Sequence, residues 1–193
     1  MEKTVILIDG GFLSKVSYKL GEGHYFKYDL LNFAKLLARK QNVIFKHLFF
    51  YNAPPFQSQP PTKEEKKRKE EYDSFIQKLK RNKEEVTIRE GRCQRLKIDG
   101  KYRYKQKGVD TLITMDLMDI PLEHSSIKHI ILIASDSDFV PIIERLKKLG
   151  IRIVLYTYFD RNRNSNFSTS NKLLSSVSYY LKLTKQEFQD CKF

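Results

Sequence analysis

The stretch His129-Ile-Ile-Leu-Ile-Ala-Ser-Asp-Ser-Asp-Phe139 does most to limit what this chain can fold into. A short, unbroken apolar run is the signature of a strand buried on both faces of a parallel sheet. It ends abruptly in Ser135, Asp136, Ser137 and Asp138. Carboxylates just past such a strand stand at the carboxyl edge of the sheet, where open α/β folds hold their ligands. Thr4-Val-Ile-Leu-Ile-Asp9-Gly-Gly-Phe12 repeats the pattern near the start of the chain, with Asp9 as the terminating acid.

Between and beyond these strands, helical and extended patterns alternate. Leu13, Val16 and Leu20 recur at helical spacing with Gly21 as a stop. Asp29 is placed to cap a helix whose apolar face is Leu30, Phe33, Ala34 and Leu37. Val43 to Tyr51 reads as a strand, and Thr62 with Glu65 forms a capping box at the head of a charged helix over 62–83. That helix balances its acids against its bases and reads as a solvated surface element rather than a dedicated RNA-binding one. Val86 to Arg89 is a further strand, and a helix from Val109 to about Ile120 is expected to stop at Pro121. A helix over Phe139–Leu149 ends at Gly150, Ile151 to Tyr158 is a strand, and Asp160 to Asn166 is a polar loop. Leu173, Leu174, Val177 and Leu181 carry a final helical element. Strands alternating with helices predict one α/β domain with a mainly parallel central sheet. Its expected extent is 1–160, with a C-terminal helical extension over 161–193 packed on the same domain.

Charge speaks to partners. The 193 residues hold 36 basic and 23 acidic side chains, a formal net charge of +13. Such an excess favours a polyanion, nucleic acid before a membrane surface. It concentrates in 92–107, where Asp99-Gly100 joins two alternating segments as a hairpin. Arg92, Arg95, Lys97, Lys101, Arg103, Lys105 and Lys107 lie there with Tyr102 and Tyr104, against the single acid Asp99. The hairpin suits an RNA strand, with cations on phosphates and a tyrosine stacking a base. An edge hairpin kept unpaired by lysines accounts for it equally well. Two distant cysteines exclude a disulfide framework and fit a reducing compartment. With no run long enough to span a bilayer and no signal-peptide core, a cytoplasmic protein is expected.

The acids form a constellation. Parallel strands place Asp9 and Asp136 on one edge. In the helix from Val109, Asp110 sits in the first turn and Asp116 falls within the apolar stripe of Val109, Leu112, Ile113, Leu117 and Ile120. Two carboxylates about 4 Å apart repel by roughly 4 kcal/mol at an effective dielectric of 20, so a cluster calls for a cation. Oxygen-only ligands suit Mg²⁺ or Mn²⁺ rather than zinc. A hard divalent ion amid basic surface is what phosphodiester hydrolysis requires.

Taken together, Ile8-Asp9-Gly-Gly-Phe12, Lys107-Gly-Val-Asp110 with Leu117 close behind Asp116, Ser135-Asp-Ser-Asp-Phe-Val-Pro141 and Leu149-Gly-Ile resemble the NYN domain. This is the LabA-like branch of the PIN-like nuclease superfamily, and the resemblance covers roughly Thr4 to Tyr158. It implies a Rossmann-like, PIN-like three-layer sandwich with an acidic pocket for Mg²⁺ or Mn²⁺. It also implies metal-dependent, endonucleolytic cleavage of RNA. By motif, Asp9, Asp110 and Asp136 match the core catalytic and metal-binding acids; Asp116 and Asp138 match further metal-site acids. Many relatives carry Asn shortly after the first Asp-Gly, where this chain has Gly11-Phe12, which bears on substrate positioning. Some members have no demonstrated nuclease activity, so a non-catalytic RNA-binding module with a regulatory role is the alternative.

Ser135 and Ser137 either orient a phosphate at the next helix N-terminus or simply cap it. Lys107 either touches a phosphate or belongs to the general surface charge. Single-stranded DNA is a second candidate substrate and a homodimer a candidate assembly. The four histidines lack ligand spacing and read as structural. A Toprim reading would want a Glu where this chain has Asp9, and a nucleotide-sugar transferase would need a base pocket that the sequence does not locate. A haloacid-dehalogenase phosphatase would need Asp-x-Asp on the first strand, which Asp9-Gly-Gly lacks, so all three are minor alternatives.

Overall fold

The computed structural model describes residues 1–160 and 167–192. Strands β1 (Lys3–Asp9), β2 (Ile44–Asn52) and β3 (Val86–Glu90) run outward to one side of a sheet. The chain then makes a separate two-stranded ribbon, β4 (Arg92–Ile98) and β5 (Lys101–Lys107), and returns through β6 (Ile127–Ile133) and β7 (Arg152–Thr157). The six-stranded sheet has the order β3-β2-β1-β6-β7-β8, with β8 (Tyr179–Lys182) at the far edge, and every neighbouring pair is parallel. The strand order therefore reverses between β1 and β6, which is where an open α/β sheet leaves a crevice for ligands.

Alternation along each strand builds the three layers. Ile6, Ile8, Leu48, Phe50, Ile131, Ile133 and Val154 face one side, beneath α1 (Gly10–Leu20), α2 (Leu30–Lys40) and α3 (Lys63–Lys80). Val5, Leu7, Phe49, Tyr51, Ile130, Leu132 and Leu155 face the other, beneath α4 (Val109–Glu123) and α5 (Val140–Lys148). Neighbours packed on both faces leave these strands no room for polar alternation. Asp29 caps α2 by accepting the Asn32 N–H at 2.7 Å, and Thr62 and Glu65 close their capping box on α3.

Three expectations are corrected. Pro121 does not end α4; it sits in the last turn, forgoing one backbone donor, and the helix closes when the His124 N–H reaches Ile120 O at 2.9 Å. Phe139 belongs to a 3₁₀ turn, Ser137–Phe139, and α5 starts one residue later. The C-terminal extension is not helical throughout. After α6 (Asn171–Ser176), Val177 is extended and Tyr179–Lys182 forms β8, which pairs with the open edge of β7. Leu181 thus extends the sheet: pairing along β7 satisfies its backbone groups, and Tyr179 and Tyr180 beside it are strand formers. A last helix, α7 (Lys185–Gln189), sets Phe188 among Phe26, Tyr28 and Phe33. Of the expected loop over 160–166, residues 161–166 lie outside the described residues. Among the described residues no helix is long and apolar enough to cross a membrane.

Candidate active site and nucleic-acid interface

Asp9 ends β1, and its carboxylate accepts the Phe12 N–H at 3.0 Å, making it the N-cap of α1. The sharp strand-to-helix turn explains Gly10-Gly11. A Cβ at residue 10 would lie 2.6 Å from the Phe50 ring, and one at residue 11 would lie 2.6 Å from the Gln106 amide oxygen. Asp136 follows β6 in the same way, accepting the Asp138 N–H at 2.8 Å as the cap of the 3₁₀ turn. Capping thus falls to Asp136 rather than to Ser135 or Ser137, whose hydroxyls stay with the cleft they line. Gly108, at φ +83°, turns the chain from β5 into α4 and brings Asp110 forward in the first helical turn.

Asp9, Asp110 and Asp136 meet in one cleft of about 960 Å³ at the carboxyl edge, across the switch point of the sheet. Their fields overlap. Burial, and then the nearby charge of Asp110, raises the Asp9 carboxyl above its ordinary value despite the Phe12 hydrogen bond. Burial raises Asp110 likewise, with Asp136 and Asp138 adding like-charge repulsion. Negative charge has been gathered here at a cost. Asp138 itself is exposed and outside the cleft lining, acting on it through its charge.

Asp116 stands apart from this group. It is buried, its Oδ2 accepts the Tyr51 hydroxyl at 2.8 Å, and Arg89 reaches both oxygens, at 3.2 Å from Nε and 3.0 Å from Nη2. The acid in the apolar stripe of α4 is answered by a guanidinium and a phenol beneath the cleft. Two histidines are likewise structural: His129 pairs with Thr4 in the core and His47 with Thr87.

The hairpin forms one wall, contributing Tyr104, Lys105 and Gln106 to the lining. Its turn takes φ +51° at Asp99 and +74° at Gly100, as a tight two-residue connection requires. Register sorts its charges. Arg92, Lys101, Arg103, Lys105 and Lys107 share one face, with Arg92 directly opposite Lys107. Like charges in that position destabilise a ribbon, so this face is suited to an anionic partner. The opposite face anchors the ribbon. The Arg95 guanidinium lies between the Phe56 and Tyr102 rings, 4.6 and 4.5 Å from their centroids, while Gln106 Nε2 donates to Asn52 Oδ1 at 2.7 Å. Arg95 is thereby engaged within the protein; Tyr102 and Tyr104 both stay about half-exposed, Tyr104 with its ring 5.8 Å from Phe56 and lining the cleft that holds the acids.

Sequence reasoning missed Lys15, Asn52 and Gln106, all of which line the cleft. Lys15 was open to discovery: with Gly11 and Ser14 it shares the face of α1 that starts at Asp9. Asn52 carried the same signal as Asp9, a polar residue ending a buried strand. Among the described residues no three His, Cys, Asp or Glu side chains form a closed ligand set.

A crystal structure of a protein of unknown function from Vibrio parahaemolyticus superposes with a TM-score of 0.57 at 18% identity, covering 94% of this chain and 93% of that one. At that identity the likeness speaks to fold. A comparison with curated proteins finds no match. The sequence profile of the NYN domain, by contrast, matches residues 3–184, from β1 through β8. With the acids gathered at the switch point of that same unit, the chain belongs to the NYN domain family, within the PIN-like nuclease superfamily.

Proposed function

We propose that this chain is a metal-dependent endoribonuclease of the LabA-like kind. The observation that carries the reading is the convergence of Asp9, Asp110 and Asp136 in one cleft, with Asp9 and Asp110 raised by burial and by neighbouring carboxylates. Nucleases of this superfamily typically use divalent metals. The donor set fits Mg²⁺ or Mn²⁺ in kind: it is all hard oxygen, and water and substrate phosphate would complete the shell. Asp9, Asp110 and Asp136 would hold the ion. When bound, it supplies an activated water and neutralises charge on the scissile phosphate.

The chain's own groups do the rest. Lys15, exposed in the cleft beside Asp9, gives a phosphate a cationic contact. Ser135 and Ser137 offer hydroxyl donors from the segment flanking Asp136. Asp9 and Asp136, each fixed by a backbone N–H, are held in place before substrate arrives. An RNA cleavage assay in Mg²⁺, Mn²⁺ and EDTA tests the reading. Metal-dependent internal cuts are expected, and their absence in both metals would overturn it. One other reading is an RNA-binding module without turnover, for which the same assay gives binding and no products.

The cationic face of β4–β5 makes a second prediction. Replacing Lys101, Arg103 and Lys105 by Ala should weaken RNA binding and flatten its salt dependence. The slope of log K against log salt should lose about 2, at roughly 0.7 per phosphate contact on a single strand. An unchanged slope would free the hairpin of this role.

A further inference from the structure

We propose that a second groove, beside the acidic cleft and between α3 and the segment 25–28 that joins α1 to α2, binds the continuation of a single-stranded RNA whose scissile phosphate lies among the acids. This rests on the reading that the cleft takes RNA. The groove has a volume of about 690 Å³ and shares Gly10, Ser14 and Asn52 with the cleft, so the two form one track.

Its walls alternate flat rings and cations. Tyr25 lines one side with Phe26 and Tyr28, whose rings also pack on Phe188. Tyr72 lines the other with Phe75, which packs on Phe50, and Tyr72 is held by its hydroxyl donating to Glu90 at 2.7 Å. Tyr25 is 63% exposed, tilted against the half-exposed Tyr18 at 5.0 Å between centroids. Beyond that contact most of the Tyr25 ring is open to solvent at the groove, and bases stack on such rings regardless of sequence. Lys27 and Lys78 stand one on each wall, against the single acid Glu71. A stacking surface with flanking cations matches the alternation of base and phosphate along a strand.

Asn52 is the pivot between the two compartments. Its Oδ1 accepts both the Ala53 N–H at 2.8 Å and Gln106 Nε2 at 2.7 Å, which fixes the amide. Its NH₂ group has no hydrogen-bond partner among the described residues, leaving two donors for a phosphate oxygen where the strand crosses. An acidic peptide would also meet lysines and rings. It would not need a path that leads into a cluster of carboxylates, so RNA is the better occupant.

The test measures binding of the full chain in EDTA, by fluorescence anisotropy, to a uridine tetramer and a uridine dodecamer. Wild type should prefer the dodecamer. Tyr25→Ala, which changes no charge, and the pair Lys27→Ala with Lys78→Ala should each weaken dodecamer binding about tenfold and leave the tetramer unaltered. All three side chains are exposed, so the fold is expected to persist, and unchanged thermal unfolding checks this. Equal losses at both lengths, an undiminished dodecamer affinity, or no binding of either strand by wild type would overturn the groove. Two results separate the groove from the nuclease reading. Dodecamer binding through Tyr25 without cleavage in Mg²⁺ or Mn²⁺ removes the nuclease and keeps the groove. Cleavage of RNA with no dodecamer advantage does the reverse.

Discussion

Asp136→Asn is expected to lower RNA cleavage by about a thousandfold while leaving the protein folded. Losing one carboxylate charge about 4 Å from a cation removes roughly 4 kcal/mol at an effective dielectric of 20, and each 1.36 kcal/mol is about tenfold in rate. The asparagine keeps an oxygen for the Asp138 N–H, so the 3₁₀ turn keeps its cap. Asp9→Asn should behave alike in cleavage, retaining its bond from the Phe12 N–H. It should also raise thermal stability at neutral pH. Burial lifts the folded Asp9 carboxyl above 3.8, so the native state binds its proton more tightly than the unfolded chain. The resulting burden begins as pH climbs past 3.8 and is complete above the folded value. The variant's advantage is therefore present at pH 7 and fades as pH falls through the ordinary carboxylate range. Full cleavage by either variant would remove the acidic pocket from the mechanism; a variant no more stable than wild type at pH 7 would remove its electrostatic cost.

The parts of this molecule that were legible in the sequence are those set by local rules. Unbroken apolar runs gave the buried strands, capping residues gave the starts of α2 and α3, and Asp99-Gly100 gave the hairpin turn. Asp9 and Asp136 were legible as neighbours because parallel strands share an edge. What failed depended on a partner supplied from elsewhere. Leu181 fits a helical period and a strand equally well, and only the vacant edge of β7 decides for the strand. Arg95 is one cation among seven until Phe56, almost forty positions earlier, takes its guanidinium. Gly11 is explained by Gln106 occupying the space in front of it, and an asparagine, Asn52, enters the cleft from β2. No reading of the first strand alone contains either Asn52 or Gln106.

Asp116 makes the sharpest distinction between a ligand and a support. The sequence places it among the metal acids; its contacts make it a tie between α4, β2 and β3. Asp116→Ala leaves the Tyr51 hydroxyl, fully buried, without its acceptor, which costs about 1–3 kcal/mol. Arg89 loses its partner too, but its side chain is 47% exposed and can turn to water, so the full penalty of a broken buried pair does not apply. A total of about 3 kcal/mol follows, lowering Tm by about 6–12 °C in a domain of this size. Tyr51→Phe removes the phenol while Arg89 still holds Asp116, and should cost less than half as much. Asp110 shares α4 with Asp116, so a loosened helix displaces a cleft acid, and misplacement of about 1 Å costs up to a hundredfold in rate. Cleavage should therefore fall in Asp116→Ala, yet for a different reason than in Asp136→Asn. The readout that separates them is the rise in Tm on adding Mg²⁺ or Mn²⁺, which Asp116→Ala should retain and Asp136→Asn should lose. If Asp116→Ala loses it while Tyr51→Phe does not, the carboxylate belongs to the metal after all, and the Arg89 contact is what it gives up to reach it.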